Sequence, residues 1–337
     1  MLERITIIGM GLIGTSVGLA IKNLKHKDIV VVGTDIDRRK ANKAKKMGAV
    51  DKVEGRLQNA VKDAAIVIIA TPVMAIPEIM EIIAPSLREG CLVTDTGSTK
   101  GVVLEWAETH LPEYVNFVAG HPMAGKELSG PEAADASLFS GRTYCLIPSL
   151  GATKPAVQLM IDLVTSIGAK PYFLSAEEHD SFAAAVSHLP LLLSVALIGC
   201  TSKSPSWSDI AQVASTGYKD LTRLASGDPT MHRDICLTNN DLLVHWLDTF
   251  IRELYEFRKK LLDSDGQALE TVFKQALEAR NRWLVGAVTP ESVRAANANL
   301  PQLPNFAEGM GQMLMGGRLM DAQKKAFNRV DKIDGDR

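Results

Sequence analysis

One histidine stands in the run Gly120-His121-Pro122-Met123-Ala124-Gly125, stiffened by proline and flanked by glycines. A neutral imidazole near its ordinary pKa can take a proton from an alcohol while hydride leaves the same carbon, which is dehydrogenase chemistry. Pro122 restricts the backbone at the imidazole. We expect His121 in the loop just after a strand at 115–119. A partly buried histidine bonded to main chain is the alternative.

A partner for that chemistry lies near the N-terminus. Gly9-Met10-Gly11-Leu12-Ile13-Gly14 follows an apolar run at 5–8 and opens a helical pattern toward Lys25. In such a turn the first glycine permits the tight bend, the second admits a pyrophosphate to the backbone, and the third lets helix and strand pack closely. The helix N-terminus then offers unpaired N–H groups to the phosphates. Asp35 stands at the end of the next strand, where an acidic residue accepts the ribose hydroxyls and repels a 2'-phosphate. This favours NAD over NADP, although Arg38 and Arg39 could meet a 2'-phosphate and Asp37 could simply cap a helix. Thr71-Pro72 and the segment Asp95-Thr96-Gly97-Ser98-Thr99-Lys100 follow two further strands, on the side where ligands of open α/β sheets gather. Ser98 is either a site residue or the N-cap of the helix after it.

The elements that position these residues are legible as pattern. Apolar β-rich runs at 5–8, 29–32, 66–70, 91–94, 115–119, 144–148 and 171–174 alternate with helical stretches. Such alternation implies βαβ units around a mainly parallel sheet. After about residue 176 the pattern is helical, and 233–262 carries Ile235, Leu242, Trp246, Phe250, Leu254, Phe257 and Leu261 at helical spacing, expected to form one long buried stripe. The fold class is therefore α/β, a Rossmann-type sheet domain over 1–175 followed by an all-α domain over 176–290, with a C-terminal tail over 291–337 whose role the pattern leaves open. Asn239 falls among the apolar positions of the stripe and needs a partner there, for which a hydrogen bond between helices is preferred to catalysis.

Composition narrows the partners. With 37 basic and 39 acidic residues the net charge is -2, so nothing draws the protein toward nucleic acid or anionic lipid, and a small molecule is the default ligand. Cys91, Cys145, Cys200 and Cys236 lack CxxC spacing, which suggests reduced core thiols and no metal site. No secretory leader is recognisable and no apolar run is expected to reach membrane-spanning length, so we expect a soluble, cytoplasmic protein.

Taken in order, these motifs are specific. GMGLIG, DTGSTK at 95–100, GHPMAGKELSG at 120–130, His179-Asp180, Ser187-His188-Leu189-Pro190 and Gly217-Tyr218-Lys219-Asp220-Leu221-Thr222-Arg223 make the chain resemble the prephenate and arogenate dehydrogenases over roughly residues 4–262. The resemblance implies oxidative decarboxylation: ring C4 of prephenate or arogenate gives hydride to NAD(P), and the ring carboxylate leaves as carbon dioxide. By the same resemblance His121 is the catalytic histidine at the C4 hydroxyl, and Ser98 contacts that hydroxyl. Arg223 binds a substrate carboxylate, for which a planar charged fork is apt. Asp180 and His188 belong to the active-site surroundings. Eight helical residues separate them by about 80° and about 12 Å, so direct contact is not assured, and Pro190 can alter that geometry.

The resemblance also implies a homodimer formed through the helical domain. Two departures bear on substrate. Many prephenate-using members carry a histidine where this chain has Leu191, and many carry a tryptophan where it has His232. The first leans toward arogenate; His232 is a possible compensating donor. No chorismate mutase segment is recognisable before Gly9, and the tail lacks the patterning of an ACT-type domain, so any tyrosine feedback is expected at the active site. Two alternatives stay open: a β-hydroxyacid dehydrogenase of the 6-phosphogluconate type, against which the His121 and Arg223 motifs speak, and a catalytically silent NAD-binding regulator, which a turnover assay separates.

Overall fold

The computed structural model describes residues 3–126 and 128–288. Among the described residues the strands are β1 (Glu3–Ile8), β2 (Ile29–Thr34), β3 (Lys52–Val53), β4 (Ala64–Ile69), β5 (Leu92–Asp95), β6 (Asn116–Pro122), β7 (Thr143–Pro148) and β8 (Lys170–Phe173). They form one sheet in the order β3-β2-β1-β4-β5-β6-β7-β8. The first six strands follow the doubly wound dinucleotide-binding order, with its switch point between β1 and β4. All pairings are parallel except β6 with β7.

All seven expected strands are present, together with the two-residue β3, too short to leave a pattern. Alternation along the strands divides the apolar side chains between two cores. Ile5, Ile7, Val31, Ile66, Ile68 and Val118 enter one; Ile8, Val67, Ile69, Val93, Phe117 and Ala119 enter the other. A sheet covered on both faces reads as unbroken apolar runs, as this one does.

Six helices accompany the strands: α1 (Leu12–Asn23), α2 (Arg38–Lys46), α3 (Leu57–Val61), α4 (Ile76–Ile83), α5 (Gly101–His110) and α6 (Lys154–Ser166). From Ala176 every described element is helical: α7 (Ala176–Ala183), α8 (Leu189–Thr201), α9 (Trp207–Val213), α10 (Thr216–Thr222), α11 (Pro229–Thr238), α12 (Asn240–Leu262) and α13 (Gly266–Leu284). The change from strand to helix is marked by a capping box, in which Ser175 and Glu178 satisfy each other's main-chain N–H groups. By contacts, the chain divides into compact units at Arg252 and Glu253. In the second unit, the end of α12 faces α13 through Phe257 and Phe273, whose ring centroids lie 6.1 Å apart.

Three expectations need correction. The stretch 233–262 is two helices, because Asn239 leaves the helical conformation (φ -137°, ψ 36°). Of its apolar positions only Ile235 and Leu243 are buried in this chain, while Ile251, Leu254 and Leu261 are exposed. Periodicity reveals that a face wants cover; it does not say which surface covers it. The continuous helical run Ala176–Thr201 is long and apolar enough to span a membrane, contrary to expectation. It also carries the buried His179, Asp180 and His188. Finally, only Cys91 and Cys145 are buried thiols; Cys236 is half-buried and Cys200 exposed on α8. The tail 291–337 lies outside the described residues.

Candidate active site

The glycine turn is built as its spacing demands. Gly9 has φ +94°, and a Cβ there would sit 2.4 Å from the Ala70 carbonyl oxygen. A Cβ on Gly14 would fall 1.9 Å from the Gly9 oxygen, so α1 can lie against β1 only without one. Gly11 faces open space, with nothing within 4 Å of an added Cβ. Leu12 and Ile13 begin α1, whose N-terminus has no side-chain cap. Asp35 accepts from the Met10 N–H at 2.7 Å and the Asp37 N–H at 2.8 Å, so it braces the glycine turn in addition to any ribose it meets. Asp37 caps α2 and holds Arg39 through two contacts of 3.1 Å. Thr71, just beyond β4, has a buried hydroxyl without a hydrogen-bond partner among the described residues, and Pro72 beside it is exposed. An open glycine, an uncapped helix start and an orphaned hydroxyl at one switch point fit a dinucleotide.

Beyond β5 the loop folds back on a buried ion pair. Asp95 accepts from Lys100 Nζ, from the Gly97 N–H at 2.7 Å and from the Gly120 N–H at 3.2 Å. Lys100 also donates to the Gly120 carbonyl at 2.9 Å. Both side chains are fully buried. The pair clamps the residue preceding His121 from both its polar ends, because each charge also satisfies a main-chain group. Gly120 must be glycine here, since a Cβ would approach the Asp95 oxygen and Tyr144 Cε1 to 2.8 Å.

His121 lies in β6 itself, opposite Cys145 of β7, and not in a loop. Pro122 takes the last position of the strand, and the pairing with β7 resumes past it, where the Met123 N–H donates to the Thr143 carbonyl at 2.9 Å. His121 Nδ1 is 2.8 Å from His179 Nε2, and His179 Nδ1 is 2.7 Å from Asp180 Oδ1. Asp180 in turn accepts from the main-chain N–H of Lys100 at 2.7 Å and of Gly101 at 2.8 Å, at the start of α5. Asp180, not Ser98, therefore caps that helix, from eighty residues away. Ser98 is half-buried in the turn between β5 and α5. Burial pushes the His121 pKa well below the usual histidine value, and the neighbouring His179, Lys100 and His188 push it further.

The helical residues divide. A π-helical turn, Ala184–His188, precedes α8, where Pro190 cannot donate a main-chain hydrogen bond. It leaves His188 1% exposed. Asp180 and His188 are linked through Asn239, whose Nδ2 donates to the Asp180 carbonyl at 2.8 Å and lies 3.2 Å from His188 Nδ1. Since that carbonyl can only accept, the amide nitrogen is the atom facing both, and His188 Nδ1 accepts. The His188 proton is then on Nε2. That nitrogen makes no well-formed hydrogen bond among the described residues, though the Ser98 main chain acts on it. Burial lowers the His188 pKa to about 4, against the opposing pull of Asp180.

Arg223 opens a 3-10 turn after α10 with its side chain exposed. The turn is tied to α8, the Ala225 N–H donating to Ser194 Oγ at 2.9 Å. Leu191 is buried, and His232 sits half-buried over Gly227.

The residue that sequence reasoning left out of the site is His179. It was visible only as the neighbour of Asp180, and no sequence pattern links it to His121, 58 positions earlier. Lys100 and Asn239 were noticed without their roles, since both act on partners distant in sequence.

Comparison with known proteins places the chain among relatives. Residues 17–173 match the family model "Prephenate dehydrogenase, nucleotide-binding domain", and residues 175–275 match "Prephenate dehydrogenase, dimerization domain". The chain is 37% identical to the prephenate dehydrogenase of Bacillus subtilis over 283 residues, 83% of this chain and 76% of that protein. It is 33% identical to the cyclohexadienyl dehydrogenase of Zymomonas mobilis over 280 residues, 82% of this chain and 95% of the other. A crystal structure of prephenate dehydrogenase from A. aeolicus, in complex with hydroxyphenyl propionate and NAD+, superposes with a TM-score of 0.77 at 27% identity, covering 83% of this chain and 98% of that one.

Proposed function

The chain belongs to the prephenate dehydrogenase family, and we propose that it catalyses the NAD-dependent oxidative decarboxylation of prephenate to 4-hydroxyphenylpyruvate, of arogenate to tyrosine, or of both. The observation that carries the mechanism is His121: neutral, fixed on a strand, with Nδ1 engaged by His179 and Nε2 left to act.

In this reading Gly9, Gly11, Leu12, Ile13 and Gly14 hold the pyrophosphate, Asp35 the adenosine ribose, and Thr71 and Pro72 border the nicotinamide end. Bound NAD supplies the hydride acceptor. His121 takes the proton of the C4 hydroxyl as the C4 hydride departs, and Ser98 holds that hydroxyl in line. Loss of carbon dioxide then yields an aromatic ring, which makes the step irreversible. Arg223 binds a substrate carboxylate, with His188 and Asp180 beside it. Because Arg39 is engaged by Asp37 and Asp35 is acidic, NAD is preferred to NADP. A buried Leu191 offers no donor to a pyruvyl group, which points toward arogenate.

We assign the dinucleotide-binding domain to 1–175 and the substrate and dimerisation domain to 176–290 of a cytoplasmic homodimer. The exposed apolar Phe182, Val186 and Val195 of the Ala176–Thr201 helix give the second copy a surface to cover. The test is kcat/KM for prephenate and arogenate with each cofactor. His121→Asn should keep NADH affinity and lower turnover by roughly a hundredfold to ten-thousandfold. Absence of turnover with both substrates and both cofactors would sink the reading.

A further inference from the structure

We propose that His179 is a positioning residue that locks His121 in one tautomer, with the proton on Nδ1 and the lone pair on Nε2; this rests on the reading of His121 as the base. The geometry leaves little choice. Asp180 Oδ1 already receives the Lys100 N–H at 2.7 Å, and Oδ2 receives that of Gly101 at 2.8 Å, so the carboxylate is an acceptor on both oxygens. His179 Nδ1, 2.7 Å from Oδ1, must donate. A neutral His179 has then spent its only proton, and its Nε2 can only accept. His121 Nδ1, 2.8 Å away, must donate in turn. The proton is excluded from His121 Nε2, where it would block catalysis.

The opposite assignment leaves a contact unmade or adds a buried charge. If His121 carried its proton on Nε2, two lone pairs would face each other across 2.8 Å in a buried site, or His179 would have to become a cation. An imidazole in water holds no such preference strongly enough to guarantee it. The lock needs the anchor, and the anchor is a ten-residue helix: Asp180 is held at the N-terminus of α5, whose first N–H groups point at it. During the reaction His121 Nε2 gains the substrate proton while Nδ1–H continues to donate to His179. One N–H bond forms, one O–H bond breaks, and the positive charge that appears on His121 lies in line with the Asp180 carboxylate. A carboxylate orienting a histidine through its Nδ1–H is the logic of the serine protease triad; here a second imidazole is inserted between the two.

Asp180 also sets the third buried histidine, His188, in the opposite sense. The Asp180 main-chain carbonyl orients the Asn239 amide, which makes His188 Nδ1 an acceptor and leaves an N–H on Nε2. One position thus supplies a base at His121 and a donor at His188.

The experiment uses full-length protein labelled with 15N-histidine, and reads ring protonation from side-chain 1H–15N spectra at neutral pH, with His121 signals assigned by their loss in His121→Asn. The expected spectrum has the His121 proton on Nδ1. In His179→Phe, which keeps a ring of similar size without nitrogen, the Nε2–H tautomer should appear and kcat should fall about a hundredfold or more, with substrate KM changed less than about threefold. His179→Gln places an amide oxygen near the former Nε2 and should recover part of both the tautomer and kcat. A wild-type proton on His121 Nε2 overturns the inference even if no variant folds. A folded His179→Phe with normal kcat overturns it as well, while His121→Asn with normal kcat would instead remove the general base itself, and this inference with it.

Discussion

Replacing Lys100 by methionine tests whether the ion pair behind His121 is as buried and as coupled as the structure shows. The methionine stem fills most of the lysine volume, so the loss is mainly that of charge. Asp95 would keep two main-chain donors, Gly97 at 2.7 Å and Gly120 at 3.2 Å, while the Gly120 carbonyl would lose its partner at 2.9 Å. Removing one member of a fully buried pair typically costs about 3–5 kcal/mol, because the remaining charge stays unsolvated. That is a large share of an ordinary stability of about 5–15 kcal/mol. At about 2–4 °C per kcal/mol, the unfolding midpoint should fall by roughly 10 °C. A second effect follows from position. Burial, His179 and Lys100 together hold the His121 pKa below its usual value, so loss of the ammonium must raise it. The acid limb of kcat/KM should therefore move to higher pH, as His121 becomes easier to protonate and so harder to use as a base. Thermal unfolding and a kcat/KM profile from pH 5 to 8, both taken with saturating cofactor, measure the two effects. A midpoint within about 2 °C of wild type, together with an unmoved acid limb, would refute the reasoning.

Gly14→Ala should weaken NADH binding at least tenfold in a fluorescence titration, because its Cβ would lie 1.9 Å from the Gly9 carbonyl and must push α1 away from β1; an unchanged Kd contradicts this. Asp35→Ala should narrow the preference for NAD over NADP and, unlike a pure ribose contact, also lower affinity for both, since Asp35 holds the Met10 and Asp37 N–H groups. Equal affinities before and after would place ribose recognition elsewhere. His188 is neutral in the folded protein down to a pKa of about 4, whereas in the unfolded chain it takes a proton below about 6.5. The unfolded state thus binds more protons in that window, and His188 removes stability as pH falls from about 6.5 to about 4, by up to about 3 kcal/mol. Urea denaturation should show the stability gap between wild type and His188→Asn shrinking across that range; a constant gap counts against it.

What was legible in the sequence was local. Apolar runs gave the strands because a doubly covered sheet needs them, and the glycine motif gave its turn because Gly9 and Gly14 answer close contacts within the turn and with Ala70 just beyond β4, while Gly11 is left open. The helix break at Asn239 was hidden for the opposite reason: the apolar period continues across it, and the side chain that justifies the break bonds to Asp180 and His188, more than fifty positions away. Ser98 had the composition of an N-cap, yet the helix it seemed to start is capped by Asp180. His121 looked like a loop residue because proline and glycine usually end strands, whereas β6 runs through them to pair with β7. Sequence pattern identifies which groups need partners; three-dimensional neighbours decide who the partners are.

The placement of His121 within β6 has a consequence for how such an enzyme can change. All seven residues of that strand are buried, and Cys145 of the reversed strand β7 stands directly opposite the histidine. On the proposed mechanism, proton removal from the substrate hydroxyl is thus tied to a part of the molecule that tolerates almost no variation. Leu191, Arg223 and His232, by contrast, lie on helices and turns that can exchange a side chain without disturbing the sheet. On the proposed assignment, new substrates can be tried on the helical side while the proton-accepting half stays as it is, so the pace of sequence change across the two halves should differ.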